Sequence, residues 1–143
     1  PPSRAGRLPQ GFVDRLRAGA LRILHSVTRL VSAFFNSMRA FRRAIGSERA
    51  VRQECALLVV GVALTPFLAR SLSHAALLVG ALLVVIAIEL LNTAIEKLSD
   101  HVAPERSDAI GYVKDLGSAA VFCALALSAL VWGAAVIEYL VAR

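Results

Sequence analysis

The chain has 143 residues, 57% of them hydrophobic, and a formal net charge of +6. Its mean hydropathy of +0.67 is too high for a soluble domain of this size, so composition points to one membrane domain and excludes an ordinary soluble enzyme. The charge would suit nucleic acid by amount, but eleven of the sixteen Lys and Arg lie before residue 55; a basic segment beside a membrane span reads as cytoplasmic and lipid-facing, with no nucleic-acid partner.

Residues 1 to 10 are rich in Pro, Gly and Arg and are expected to be disordered. They do not read as a secretory signal, because no cleavable apolar core follows them. From Gly11 to about Ile45, apolar residues such as Phe12, Leu16, Leu24, Val31, Phe34 and Met38 recur at steps of three and four, with Arg15, Arg22, Arg29, Arg39 and Arg43 largely between them. This predicts one or two amphipathic helices on the membrane surface or against a bundle. Gly46 and Ser47 break the pattern: Gly46 is expected to end a helix and Ser47 to cap the next, with Glu48 in its first turn. Composition alone reads Glu48, flanked by Arg49 and Arg52, as a solvated ion-paired turn.

The first uncharged run, residues 55 to 69, covers only ~22 Å of a ~30 Å hydrocarbon core. Its helix must therefore extend into its flanks, or Glu54 and Arg70 must reach for the interface. Pro66 is expected to kink it near one end. After a tight 70–74 turn, a second span is predicted from about Ala75 to Leu98, purely apolar until Glu89. A polar loop is expected over 99–115, punctuated by Pro104 and Gly111. The third span runs from Leu116 to Ile137 without a charge. It opens on Gly117, Ser118, Ala119 and Ala120, small residues that let helices approach closely. Trp132 and Tyr139 suit the far interface. Cys55 and Cys123 read as small packing residues, with no metal or disulfide pattern. Loop charges place the N-terminus and the 99–115 loop in the cytoplasm and the 70–74 turn outside.

The chemistry-bearing stretch is residues 86–100. Glu89 stands where hydrocarbon is expected, and Asn92 and Glu96 follow at i+3 and i+7. At ~100° per residue all three share one helix face, and Asp100 continues it outward. A carboxylate inside a bilayer costs at least ~2.5 kcal/mol, so its default reading is a functional site; the plain alternative is a polar contact locking helices together. Glu89 lies roughly 10 Å deeper than Glu96 along the helix. Acidic groups at the interface with one deeper carboxylate suit the joining of a soluble reagent to a lipid one. Phosphoryl transfer needs a group for the acceptor hydroxyl, a divalent cation and cationic charge on the phosphates. Glu89, the pair Glu48 and Glu96, and Lys114 are candidates for these roles. No Walker A or Gly-x-Gly-x-x-Gly loop is present, which excludes a soluble kinase template. Spacing alone leaves kinase beside an ion pathway.

The run Glu89-Leu-Leu-Asn-Thr-Ala-Ile-Glu96, then Asp100, Pro104-Glu105 and Gly111-x-x-Lys114-Asp115-Leu-Gly-Ser-Ala-Ala120, resembles the signature of the small integral-membrane bacterial diacylglycerol kinases, a family that includes undecaprenol kinases. Glu48-x-x-x-Arg52-Gln53-Glu54 resembles its upstream motif. The resemblance covers residues from about 29 to 137. It implies an all-α membrane protein: an N-terminal amphipathic surface helix to about residue 46 and three transmembrane helices, about 50–70, 75–98 and 114–139, in a homotrimeric bundle. Residues 1–28 would be a basic extension and the start of the surface helix, and 29–143 the lipid-kinase domain.

The implied activity is ATP- and Mg²⁺-dependent phosphorylation of the primary hydroxyl of diacylglycerol, giving phosphatidic acid. It would take place at the cytoplasmic face of the bacterial inner membrane, in a site shared between subunits. The resemblance makes Glu89 the catalytic base, with Asn92 helping to hold the phosphate or the base. Glu48 and Glu96 become the metal ligands, which overturns the solvated-turn reading of Glu48. Arg29, Glu48, Glu96, Glu105, Lys114 and Asp115 would face ATP; Arg52, Gln53, Glu54, Glu89 and Ser118 would face lipid or the scaffold. His101 departs from the Arg of many relatives, and Arg106 and Tyr112 fall in the family's variable loop. The alternatives are an undecaprenol kinase of the same family and, from another class, a non-enzymatic scaffold or proton-pathway subunit using Glu89 and Glu96.

Overall fold

The computed structural model describes residues 10–105 and 107–142. The expectations for residues 1–9, Arg106 and the side chains of Phe12, Arg15 and Leu16 lie outside the described residues. Four helices follow one another: α1 (Gln10–Ser47), α2 (Arg49–Leu68), α3 (Leu72–Val102) and α4 (Asp108–Val141). The chain divides inside α1, between Arg43 and Ala44, into two units. The described residues of the first form a single helix, where the periodicity allowed one or two.

Within the second unit, α1 ends at Ser47 and Glu48 turns the chain on an extended backbone (φ −103°, ψ 123°). Glu48, not Ser47, is thus the residue before α2, and its side chain caps no backbone amide. The carboxylate is engaged elsewhere, as described below. The end of α1 is closed from outside: the Arg52 guanidinium donates to the carbonyls of Ile45 and Gly46, both at 3.3 Å. A cation on the last free carbonyls suits the negative end of a helix.

α2 answers the length problem of the first span by starting at Arg49, so its 20 residues reach about 30 Å. Pro66 sits in its last turn, and the helix stops two residues beyond at Leu68. The Thr65 hydroxyl donates to the Gly61 carbonyl at 2.8 Å and so stays satisfied inside the packed face. α3 and α4 begin on serine caps: Ser71 Oγ accepts from the His74 amide at 3.1 Å and Ser107 Oγ from the Ile110 amide at 3.3 Å. The predicted 99–115 loop shrinks to residues 103–107, with Pro104 inside it. Ser99, Gly111 and Tyr112 are helical instead. Hydropathy misplaced that boundary because a polar first turn, capped by Ser107 and opened by Asp108, is as helical as the apolar run behind it.

Three helices, α2, α3 and α4, are long and apolar enough to cross a membrane. α3 is the middle one and packs against both α2 and α4, which meet each other little. Its packed side is lined by Leu78, Ala81, Val85 and Ile86. α4 answers with Gly117, Ala124, Ser128 and Ala135, small side chains on one stripe that allow close approach. Outward residues such as Val59, Phe67, Phe122 and Leu130 are exposed, as hydrocarbon surroundings favour. Cys55 is half-buried and Cys123 exposed, so only Cys55 fits the packing role expected of both.

Two side chains at or near the ends of the spans make contacts that hydropathy did not suggest. The Trp132 indole donates from Nε1 to the Leu78 carbonyl at 3.1 Å and lies half-buried beside Gly61. It ties α4 to α3, because an indole N–H away from water takes the nearest carbonyl. Arg70 donates from Nη2 to the Glu138 carbonyl at 2.8 Å and pairs with the Glu138 carboxylate at 3.4 Å. It joins the α2–α3 turn to the end of α4. Trp132→Phe removes the indole donor and keeps most of the ring volume. It is expected to lower stability by about 0.5–1.5 kcal/mol, seen as a lower Tm of the detergent-solubilised protein.

Candidate functional site

The packed line of α3 continues at steps of three and four past Val85 into Glu89, Asn92, Glu96 and Ser99. The face that is apolar in the first half of the helix is therefore polar in the second. Glu89 and Asn92 are each 8% exposed, so the carboxylate expected in hydrocarbon does point inward. Asn92 Nδ2 donates to Glu96 Oε1 at 3.1 Å. A carboxylate only accepts, so this bond fixes which way the amide faces. Asn92 Oδ1 is left buried and unpartnered, packed against Gly117 of α4. A side chain on residue 117 would collide with that amide unless Asn92 turned or α4 moved away.

α2 contributes a second inward carboxylate. Glu54 is also 8% exposed, and its Oε2 has no partner. It does not reach for the interface, as the length of the first span suggested; it heads an apolar groove of about 330 Å³ between Gly61, Leu82, Ser128 and Trp132. Glu89 is the common neighbour of the acidic groups: it feels the charges of Glu96 and Glu48, and Glu54 feels Glu89. Such crowding of carboxylates away from water is unfavourable unless a cation or proton joins them.

The Glu48 carboxylate accepts from Lys97 Nζ at 2.8 Å and from the Ser47 hydroxyl at 2.8 Å. These bonds, the Lys97 contact first, hold the Glu48 carboxyl below the usual carboxylate range. Sequence reasoning missed Lys97. It is the one Lys or Arg in α3, set between Glu96 and Asp100, and that isolation was its signal. Beyond it, Lys114 of α4 pairs with Asp100 of α3. Asp100, Glu105, Lys114 and Asp115 line a polar cleft of about 670 Å³ at the 103–107 loop.

The expected set is thus gathered in part. Glu48, Glu54, Glu89, Asn92 and Glu96 converge, and Glu105, Lys114 and Asp115 share the cleft. Arg52 serves the end of α1, while Gln53 and Ser118 are exposed. Arg29 lies on the first unit, exposed on its helix.

A family model described as prokaryotic diacylglycerol kinase matches residues 35–136. The chain belongs to that family. Curated relatives named diacylglycerol kinase agree with the assignment. A Haemophilus influenzae protein is 37% identical over 107 residues, 75% of this chain and 91% of its own. A Pseudomonas aeruginosa protein is 36% identical over 104 residues, 73% of this chain and 85% of its own. An Escherichia coli protein is 32% identical over 105 residues, 73% and 86%. The matched stretch of this prokaryotic diacylglycerol kinase family member contains every inward carboxylate of the site.

A family kinase implies a divalent metal, and the donor set fits one. Among the described residues no three His, Cys, Asp or Glu form a ready-made cage. Mg²⁺ does not require one, since it takes one or two carboxylates, waters and substrate phosphate oxygens. Glu48 and Glu96 supply hard oxygen donors of that kind.

Proposed function

We propose that the protein transfers the γ-phosphate of ATP to the primary hydroxyl of diacylglycerol, giving phosphatidic acid and ADP in a Mg²⁺-dependent reaction. The observation that carries this reading is the graded polar line of α3, from buried Glu89 through Asn92 to the half-exposed Glu96, with Glu48 also acting on Glu89. It joins a lipid-depth base to a water-side phosphate site. Glu89 takes the hydroxyl proton as the lipid oxygen bonds to the γ-phosphorus and the bond to the ADP oxygen breaks. Asn92 holds Glu96 in place through its amide. Glu48 and Glu96 would hold the metal, which when bound offsets phosphate charge. Lys114, Asp115 and Glu105 face the nucleotide. Glu54, Gln53, Arg52 and Ser118 belong to the lipid side or the scaffold.

Residues 29–143 form the kinase domain in this reading, and 1–28 a basic extension. α1 lies on the cytoplasmic surface of the bacterial inner membrane. Three spans are too few to enclose ATP and a lipid headgroup, so a homotrimer completes the site and gives exposed Ser118 and Asp115 partners.

In mixed micelles containing ATP and Mg²⁺, diacylglycerol is expected to be phosphorylated, and EDTA is expected to abolish turnover. Phosphate on undecaprenol alone would move the protein to the other branch of the family. No phosphorylated lipid from folded protein would sink the reading and leave a scaffold or proton path.

A further inference from the structure

We propose that Lys97 is the resident cation of the Glu48 and Glu96 carboxylates, occupying the place that a divalent ion takes over when it enters. The proposal rests on the reading of Glu48 and Glu96 as metal ligands and makes Lys97 a positioning residue for that site. Its Nζ lies 2.8 Å from Glu48 Oε1, and its charge also acts on Asp100 and Glu96. One ammonium therefore acts on three carboxylates, two on α3 and one at the turn between α1 and α2.

The surroundings of the pair suit an exchangeable cation. The Lys97 side chain is 64% exposed and that of Glu48 27%, so the ammonium approaches from the water side and has a route away. Glu48 caps no amide and sits on the extended residue between α1 and α2. Ser47 and Lys97 bond its carboxylate, and the Arg52 charge supports it from α2. Without Lys97, the Glu48 carboxylate would keep the Ser47 hydroxyl as its hydrogen-bond donor and would be freer to move. A lysine is a compact point charge on a flexible stem, able to hold a carboxylate and let it go. A protonated amine donates to Oε1 and cannot share that oxygen's lone pairs with a metal bound in the same direction. Ser47 and Lys97 both bond Oε1, so a divalent ion that takes this oxygen would displace Nζ and leave it to pair with phosphate.

Competition of this kind has a readout independent of turnover. Mn²⁺ is titrated into the detergent-solubilised full chain without nucleotide, and free Mn²⁺ is followed by electron paramagnetic resonance. Lys97→Met is expected to bind Mn²⁺ roughly two- to fivefold more tightly, the size set by loss of an exposed ion pair. Lys97→Arg keeps the competing charge and is expected to match the unaltered protein. Glu48→Gln is the control for the site itself. Tighter binding by Lys97→Met but not by Lys97→Arg supports the proposal. Unchanged or weaker binding by Lys97→Met, with Glu48→Gln weakened, overturns the role of Lys97 and leaves Glu48 a ligand. No effect of Glu48→Gln on Mn²⁺ overturns both. Since Lys97 is exposed, thermal unfolding of the variants is expected to be unaltered, which separates competition from a folding effect.

Discussion

Glu89→Gln is expected to lower lipid phosphorylation by about 10²- to 10⁴-fold, the range supplied by a positioned general base. The amide keeps the shape of the side chain but cannot take the hydroxyl proton. Nucleotide affinity is expected to persist, because the nucleotide-side groups stand about 10 Å along the helix at Glu96 and beyond. Stability is expected to hold or rise, since the substitution removes one of the crowded charges that Glu54, Glu48 and Glu96 share with Glu89. Single-turnover phosphorylation of diacylglycerol, beside ATP binding on the same preparation, separates these effects. Activity within tenfold of the unaltered protein would remove Glu89 from the role of base. Glu54 would then be the next carboxylate to test, being equally buried and lacking a partner for Oε2.

Gly117→Ala is expected to lower both stability and turnover. In an ordinary helix this exchange would gain up to ~1 kcal/mol. Here the new methyl group collides with the Asn92 amide. Inserting a methyl group into a tight contact costs about 1–3 kcal/mol, more than propensity returns. The relief available is to push α4 away or to turn Asn92, and turning Asn92 breaks its bond to Glu96. A displacement of about 1 Å at a reacting centre costs up to ~10²-fold in rate, so a roughly 10- to 100-fold loss is expected. Gly80→Ala is the comparison: among the described residues nothing outside its own helix backbone lies within 4 Å of the added Cβ, and stability is expected not to fall. Equal Tm values for the two variants would show that α3 and α4 are not closely joined at Asn92.

Periodicity alone put Glu89, Asn92 and Glu96 on one face, and a structure in which that face turns inward keeps them together. This much was legible because 3.6 residues per turn is a local rule. The three spans were legible for a similar reason, since hydropathy sums over neighbours. Their ends were less so. Glu48, Ser71 and Ser107 decide where helices begin, and each does so through one residue's backbone or one hydrogen bond, which an apolar average does not register.

Contacts between helices were not legible. Lys97 reaches Glu48 across many residues of sequence, and nothing local to either names the other. Trp132 read as an interface residue until its indole met the Leu78 carbonyl. Glu54 read as a flank that must seek water, yet it turns inward toward Glu89. By itself, then, the sequence determined an all-helical membrane chain, its polar α3 face and the family signature. Only the tertiary structure decided which carboxylates converge, which cation serves them and where glycine is required. Pattern follows from the geometry of one helix, whereas charge pairing and close approach depend on distances between helices that lie far apart in the chain.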